Sequence, residues 1–420
     1  MPVIHEMISM HAQEVAFLWT QRGNLLTRAN TYLDDIISYD ERIDAHLDGL
    51  RIAGAKAWRI CETQLIESLP GEMFAAMTLA LEAKDIVKIK KLSALASAVP
   101  TMQPGFTSAF GWTTPRVLSG MVVQWLGSPV TLHRRTAIAC CALHRVDAGP
   151  LLEAASNDVD TSLRARALRA AGELGRLDLL PICRQHLEDQ DPDCAFWASW
   201  SSVLLGDRDL ALTCLARHCR SPDLSSSRAS QLVLKVLTSA SAHQLLRTYA
   251  GEEKMRRPLL RGVGIVGDPF YVPWLINQMD ELHSARLAGE SFSQITGADL
   301  VHLGLNRQGR VHPTASPNDD PDDDRVDMDP DEYLPWPDKA KVQSWWRSNK
   351  ERFFEGMRYF VGYPVSEQHC MKVLGRGCQR QRVAAALYLS LLHPGKPLYR
   401  VSAPGWRQKR LLDGMNSGVT

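Results

Sequence analysis

The chain has 420 residues, 45% of them hydrophobic, which is ordinary for a globular protein and long enough for an extended array plus a second domain. Its 48 Lys and Arg residues balance 47 Asp and Glu residues, which argues against a protein built to neutralise nucleic-acid phosphates. The sequence has no apolar run long enough to cross a bilayer and no signal-like start. With nine cysteines, an odd number, these features predict a cytoplasmic protein with reduced thiols.

The first segment, residues 1–69, is predicted to be helical. Ile43, Leu47 and Leu50 recur at three- and four-residue intervals together with His46, which places them on one face of a helix. Terminal units of a repeat array differ from the inner ones because they must cover its exposed apolar end. We therefore expect this segment to act as an N-terminal cap.

The second segment, residues 70–304, is predicted to be an array of helical repeats. The repeat anchors follow one another at about 31 residues: His144, Gly175, Gly206, a weaker copy near Leu237, Gly267 and Gly297. In three copies a proline falls six positions after the anchor, at Pro150, Pro181 and Pro273. Proline fits the first turn of a second helix, where its missing N–H is not needed. A helix pair this short cannot bury its own apolar face and must stack on its neighbours.

The local pattern of one repeat agrees with this prediction. Apolar residues recur at helical spacing after an acidic turn: Leu163, Ala167, Ala170, Ala171 and Leu174. The alanines are small enough to let the next helix approach closely. The pattern resembles HEAT-type repeats, in particular the short variety also found in phycobilin lyases. The predicted fold class is all-α, an α-solenoid of HEAT-like repeats with a smaller, partly irregular α+β region at the C-terminal end.

Two proline-rich stretches interrupt the helical pattern. Residues 99–115 contain several prolines and glycines, which predict a long turn within the array. Residues 305–338 form the third segment, an acidic proline-rich loop or linker that is too polar to fold by itself.

Four carboxylates of the acidic loop have the spacing of calcium ligands at EF-hand positions 1, 3, 5 and 12: Asp320, Asp322, Asp324 and Asp331. The loop departs from the EF-hand in two places. Arg325 replaces the glycine of the sharp turn, and position 12 is Asp instead of the longer Glu. Calcium binding is one interpretation, and a solvated acidic loop is the favoured alternative.

The fourth segment, residues 339–420, is rich in aromatic side chains and arginine. The aromatic residues around Trp345, Trp346 and Phe353 are predicted to pack together, and a helix is predicted to end near His393. Four arginines are predicted to be exposed and to bind a partner: Arg376, Arg380, Arg382 and Arg407. A guanidinium group suits protein carboxylates because it offers planar, bidentate hydrogen bonds. The alternative is pairing within the molecule, with the acidic loop as the opposite charge.

Motifs for catalysis are incomplete. Gly289–Ser293 begins like the nucleophile elbow of hydrolases, but Ser293 stands where the sharp turn needs a second glycine. Gly262–Gly267 is rich in glycine but lacks a preceding strand and the lysine of a P-loop. The sequence contains neither CxxC nor HExxH, the usual spacings of zinc ligands. We therefore expect a protein with no catalytic residue, no cofactor and no resident metal.

Six segments spread over nearly the whole chain carry a further resemblance: DERIDAHLDGLRIAG, FGW, RALRAAGELGR, ARLAGESFSQITGADL, DEYLPWPDKAKVQSWW and GCQRQRVAAALYLSLLHPGKPLYRVSAPGWRQ. They resemble a family of HEAT-repeat-like proteins of Gram-negative bacteria, without an assigned activity, whose genes lie in type VI secretion neighbourhoods. The resemblance implies an accessory adaptor or chaperone for a type VI secretion effector or spike component.

The function expected from these observations is a non-enzymatic scaffold that binds another protein, without nucleic acid and without insertion into a membrane. Two alternatives stay open. An immunity protein would use the same repeats to bind and neutralise a toxin. A lyase-like enzyme with HEAT-like repeats would need a ligand pocket with a placed acid or base.

Overall fold

The structure is a computed structural model that describes residues 5–221, 224–307 and 331–416. Within these residues the chain forms 23 α-helices and one two-stranded antiparallel sheet. The residues group into two compact units, one within Met1–Leu215 and Ser390–Thr420 and the other within Ala216–Leu389. The four segments of the sequence analysis are a division along the chain, and they stay a prediction.

The first unit is a series of helices that pack in chain order. The helices that begin in it are α1 (His5–Leu25), α2 (Leu33–Ala53), α3 (Ala55–Gln64), α4 (Pro70–Glu82), α5 (Ile86–Ala98), α6 (Gln103–Trp112), α7 (Pro115–Leu118), α8 (Met121–Leu126), α9 (Thr131–His144), α10 (Pro150–Ser156), α11 (Thr161–Leu174), α12 (Leu180–Gln185), α13 (Pro192–Leu204), α14 (Leu210–His218) and, near the C-terminal end, α23 (Gly405–Asn416). Helix α1 packs on α4, α4 on α6, α6 on α9, α9 on α11 and α11 on α13. The core follows this series, with Phe74, Phe106 and Phe110 fully buried.

The second unit repeats the pattern on a smaller scale. Its elements are α15 (Leu224–Val236), α16 (Ser239–Tyr249), α17 (Arg256–Val266), α18 (Val272–Gln278), α19 (Ala285–Thr296), α20 (Lys339–Asn349), β1 (Tyr359–Phe360), β2 (Tyr363–Pro364), α21 (Glu367–Arg376) and α22 (Gln379–Leu392). Helix α15 packs on α17 and α17 on α19, while α16 and α18 pack beside them. Strands β1 and β2 pair Phe360 with Tyr363. The predicted fold class is confirmed: an all-α solenoid of HEAT-like repeats with a smaller C-terminal region that contains a short sheet.

The repeat anchors are helix ends. Four anchoring glycines stand at or just after the end of the first helix of a pair and have positive φ angles: Gly175 at 70°, Gly206 at 106°, Gly267 at 74° and Gly297 at 71°. A left-handed residue closes a helix, and glycine adopts that conformation without steric cost. The three predicted prolines lie in the first turns of α10, α12 and α18. The spacing therefore predicted both helices of these pairs.

Helix starts repeat with the same period. Asp160 and Asp191 precede α11 and α13, and their carboxylates accept hydrogen bonds from the N–H groups of Leu163 at 3.0 Å and Cys194 at 2.9 Å. Each carboxylate satisfies an N–H group that has no partner inside the helix. An acidic residue at this place fixes where the first helix begins in these two repeats.

Successive first helices of the first unit touch through a glycine and a serine. A Cβ atom added to Gly172 of α11 would lie 2.8 Å from the Cα atom of Ser201 in α13. The Ser201 hydroxyl donates to the carbonyl oxygen of Leu168, one turn before Gly172, at 2.7 Å. The missing side chain of glycine thus lets a serine reach the neighbouring backbone.

The second unit contains the same arrangement between α17 and α19. A Cβ atom added to Gly264 would lie 3.0 Å from the Cα atom of Ser291. The Ser291 hydroxyl donates to the carbonyl oxygen of Leu260 at 2.7 Å. We call each of these two contacts a glycine–serine seam. It is a feature of the repeat, since it occurs in both units at equivalent helices.

Residues 99–115 do not form the predicted long turn, and that prediction is wrong. Helix α6 occupies most of this stretch, with Pro104 in its first turn, where proline is well tolerated. Gly105 faces the carbonyl oxygen of Pro70, and a Cβ atom there would overlap it. Proline and glycine serve here to start a helix and to pack it closely against α4.

The predicted aromatic cluster is present in part: Trp346 and Phe353 pack together, whereas Trp345 packs on Phe292 of α19, with 5.7 Å between the ring centres. The ring of Phe353 lies 5.4 Å from that of Trp346 and 5.0 Å from that of Tyr359. The predicted helix before His393 is α22, which ends at Leu392. Helix α23, which follows at Gly405–Asn416, was not predicted from the sequence.

The first prediction concerns the seam in the first unit. Replacement Gly172→Ala forces a methyl group against the backbone of α13, and overpacking of this kind costs about 1–3 kcal/mol. We expect a lower melting temperature by circular dichroism. The matched control is Gly23→Ala in α1, where a Cβ atom would meet nothing within 4 Å. Alanine is the better helix former there by about 1 kcal/mol, so the control should melt no lower than the wild type. Equal melting temperatures for the two variants would contradict the seam.

Candidate functional site

Arg382 of α22 is fully buried, so the prediction that it is exposed for a partner is wrong. Its Nε donates to the carbonyl oxygen of Leu374 at 2.9 Å, and its Nη1 donates to Oε1 of Gln379 at 2.8 Å. The hydrogen bonds of the guanidinium group thus go to the end of α21 and the start of α22. Its role in the fold is to satisfy polar groups between these helices.

Arg407 of α23 is also buried, and its predicted exposure is wrong for a similar reason. Its Nη2 donates to the carbonyl oxygen of Gly111 at 2.8 Å, and its Nη1 donates to that of Leu143 at 3.3 Å. These carbonyl groups lie at the ends of α6 and α9. Burial lowers the pKa of Arg407 to about 10, so the guanidinium stays charged at neutral pH. It ties the C-terminal helix to the first unit.

The other two predicted arginines differ from each other. Arg380 donates through Nη1 to both carboxylate oxygens of Glu290, at 2.8 and 2.7 Å. This is pairing within the molecule, although with a repeat helix instead of the acidic loop. Arg376 at the end of α21 is exposed and has no ion pair among the described residues. Of the four arginines, Arg376 therefore offers the most accessible charge, and its role in binding stays a prediction.

The calcium candidate lies largely outside the described residues, which include Asp331 but not Asp320, Asp322 or Asp324. Asp331 is buried and accepts hydrogen bonds from both terminal nitrogens of Arg257, at 2.7 and 2.8 Å. In the part of the chain that the structure describes, no three His, Cys, Asp or Glu residues are grouped so as to hold a metal ion. The calcium site stays a prediction.

Arg400 of the C-terminal segment forms an ion pair with Glu173 of repeat helix α11. This carboxylate is buried and pairs with Arg166 at 3.0 Å, Arg169 at 2.7 Å and Arg400 at 2.6 Å. The backbone N–H of Leu398 also donates to the Glu173 carbonyl oxygen at 2.9 Å. Burial by itself would raise the pKa of Glu173, but the three guanidinium groups hold it well below its usual range. The contact fastens the chain around residue 400 to the repeats of the first unit.

The structure also reveals a cleft in the first unit that the sequence analysis did not predict. Its volume is about 390 Å³. Helices α2, α4, α6, α7 and α23 and the residues after α6 line it with Ile37, Asp40, Glu41, Asp44, Arg51, Glu82, Trp112, Thr113, Thr114, Val117 and Trp406. We call it the acidic cleft, because it contains four carboxylates and one guanidinium group.

Two of the four carboxylates are already compensated. Glu82 receives two hydrogen bonds from Arg51, at 2.7 and 2.8 Å. Asp40 is buried, pairs with Arg22 and accepts the backbone N–H of Gly405 at 2.5 Å. These contacts occupy Arg51, the one cationic residue among the described residues that line the cleft, and hold α23 against α2.

The remaining two carboxylates, Asp44 and Glu41, are less well compensated. An oxygen of Asp44 accepts the indole N–H of Trp112 at 3.2 Å and lies 3.9 Å from Arg51. Burial raises the pKa of Asp44, although the hydrogen bond from Trp112 and the charge of Arg51 act against this. Glu41 is exposed and has no ion pair among the residues that the structure describes. The cleft therefore carries excess negative charge.

Thr113 contributes an unsatisfied polar group to the acidic cleft. Its side chain is 2% exposed, and its Oγ1 atom has no hydrogen-bond partner within the described chain. Buried hydroxyl groups are normally satisfied, and those that are not call for an explanation. No local motif of the sequence indicated this site. Its residues come from distant helices, and Trp112 and Thr113 lie in the stretch expected to be a turn.

Comparison with known proteins bears on the repeats. Residues 148–235, about a fifth of the chain, match the family of HEAT repeats. This stretch contains helices α10 to α14 and nearly all of α15, which is more than two repeats of about 31 residues. No protein with a curated description and no solved structure matches the chain. HEAT repeats suit a scaffold for protein–protein interaction. None of the described helices is both long and apolar enough to span a bilayer.

The second prediction separates buried from exposed arginines. Replacement Arg382→Gln removes charge-assisted hydrogen bonds from a fully buried site and should lower the free energy of unfolding by about 2–3 kcal/mol. Arg376→Gln is the matched control, with an expected change below about 0.5 kcal/mol because the side chain is exposed. Urea unfolding followed by fluorescence measures both. A stable Arg382→Gln variant would show that the buried guanidinium is dispensable.

The third prediction uses the depressed pKa of Glu173. A carboxylate with a lowered pKa stabilises the fold above its unfolded value of about 4.3, and this contribution is lost as the pH falls below that value. Replacement Glu173→Gln should cost about 3 kcal/mol at pH 7, since it leaves the partly buried guanidinium groups of Arg166 and Arg400 without their counter-ion. The difference from wild type should stay constant between pH 8 and 6 and shrink below pH 4. Urea unfolding at several pH values tests this, and a difference independent of pH would contradict the assignment.

Proposed function

We propose that the protein is a non-enzymatic scaffold that binds another protein. The observation that carries the proposal is the stack of helix pairs that matches HEAT repeats over residues 148–235. Stacked repeats present a long surface, and their ligand is set by side chains on that surface. Asp160, Gly175 and Asp191 stand at the starts and ends of repeat helices, where each has a structural role.

The chemistry of the thiols supports a non-enzymatic role. Eight of the nine cysteines are buried. Burial raises the pKa of Cys61, Cys140 and Cys183 to about 12. A cysteine nucleophile needs a lowered pKa and access to solvent, and these thiols have neither. They behave as small apolar residues of the core.

The finer role that we propose is an adaptor or chaperone in the cytoplasm, which holds a type VI secretion effector or a spike component before it is loaded. This role rests on the resemblance of the sequence to proteins encoded in such gene neighbourhoods. The repeat fold supports it, because an adaptor needs an extended binding surface and no catalytic group.

The fourth prediction tests this proposal in the cell of origin. A tagged copy captured from these cells should retain one effector or spike component, identified by mass spectrometry and absent from a tag-only control. Deletion of the gene should abolish secretion of that protein, and the wild-type gene should restore it. Unchanged secretion after deletion would contradict the adaptor role. Capture of a toxin, together with protection of cells that produce this protein alone, would replace the adaptor by an immunity protein.

A further inference from the structure

We infer that the acidic cleft binds the guanidinium group of an arginine side chain presented by a partner protein. The inference deepens the proposed function and rests on it for the source of the arginine.

The size and walls of the cleft suit one side chain. Its volume of about 390 Å³ is within the range of about 300–1,000 Å³ found for ligand sites. Trp112 and Trp406 line it together with the aliphatic Ile37 and Val117. Tryptophan is the aromatic side chain that attracts cations most strongly. The cleft therefore offers apolar surface to the aliphatic stem of a side chain and aromatic surface to a flat cation.

The tryptophans already attract guanidinium groups within the fold. The central carbon of Arg410 lies 5.5 Å from the ring centre of Trp406, and that of Arg22 lies 5.9 Å from Trp112. Arg407 also lies near Trp406, at 5.0 Å. These contacts show that the surroundings of both rings are compatible with this kind of cation.

The charge of the cleft requires a cation from outside. Arg51 and Arg22 compensate Glu82 and Asp40, which leaves Asp44 and Glu41. These two lie three residues apart on α2 and hence on one face of the helix. Asp44 is partly buried without a full partner, which is unfavourable, and a cation beside it would offset that cost. Glu41 is exposed and adds negative charge on the same face. Negative charge around the cleft also attracts the basic segment that carries it.

Thr113 is the independent sign of a ligand. Thr113 lines the cleft, and its buried hydroxyl has no hydrogen-bond partner in the described chain. Threonine accepts as well as donates, so an N–H group of the ligand completes it. A guanidinium group has five N–H donors in a plane, enough for two carboxylates and one hydroxyl. An ammonium group has three donors and lacks the flat face, and we therefore assign arginine over lysine.

The experiment titrates the full chain with N-acetyl-arginine amide, which carries the side chain without charged termini, and follows binding by calorimetry. The double variant Glu41→Gln/Asp44→Asn should weaken binding at least tenfold. The matched control is Asp34→Asn, an exposed residue of the same helix outside the cleft, which should bind like the wild type. N-acetyl-lysine amide should bind more weakly than the arginine probe. Equal binding by the wild type and the double variant, or none by the wild type, would overturn the inference.

Replacement Thr113→Val separates a ligand group from a structural one. If the hydroxyl bonds to a ligand and not to the fold, valine should leave the melting temperature of the free protein unchanged or higher. It should still weaken binding of the arginine probe several-fold. A lower melting temperature with unchanged binding would show that Thr113 serves the fold, and would remove this support.

Two further arms identify the source of the cation and keep the two proposals apart. Free arginine has the same net charge as the capped probe but adds a charged α-ammonium and α-carboxylate that an arginine within a partner protein lacks, so a site for the side chain alone should bind it no more tightly than the capped probe. Tighter binding of free arginine would indicate a small metabolite and overturn the assignment to a partner protein.

If the double variant captures the cellular partner as well as the wild type does, the cleft inference fails while the scaffold stands. If the probe binds in the cleft but no partner is captured, the scaffold fails instead.

Discussion

The close approach of successive first helices is the constraint on which the rest of this structure depends. At Gly172 and Ser201 the backbones come so near that no larger residue than glycine fits without a shift, and the serine hydroxyl bonds to the facing backbone. Short helix pairs have no core of their own, so their stability is the sum of such interfaces. The recurrence at Gly264 and Ser291 indicates that spacing between neighbours is set by the same pair of residue types in both units.

Local rules explain which parts of the fold were predictable. The anchors at Gly175 and Gly267, and the prolines after them, follow from what one or two residues do to the backbone at a helix end. The same residue types misled at 99–115, because Pro104 and Gly105 fit the start of a closely packed helix as well as they fit a turn. Composition does not distinguish these cases, since the neighbour that decides between them is Pro70, more than thirty positions away.

The site was less predictable than the fold for a related reason. A count of arginines says where positive charge is concentrated but not which side chains meet backbone carbonyl groups, as Arg382 and Arg407 do. The acidic cleft depends on Asp44, Trp112 and Trp406, which are brought together only by tertiary packing. Residues 34–48 are visibly acidic in the sequence, but which of these acids pair with arginine depends on tertiary packing.

Because α23 follows the repeats in the chain, its contacts with the first unit can form only after the repeats have been synthesised. The N–H of Gly405 caps the buried Asp40, 365 positions earlier in the chain, and Arg22 donates to the carbonyl oxygens of Ser402 and Ala403 at 3.2 and 2.9 Å. On the ribosome the repeats emerge before these residues exist, and domains begin to fold as they emerge. Until synthesis reaches α23, Arg22 and Asp40 lack their backbone partners at residues 402–405, and the wall of the cleft that contains Trp406 is missing. The nascent chain thus passes through a stage with stacked repeats and an incomplete cleft, and the cleft is complete only after α23 has been synthesised.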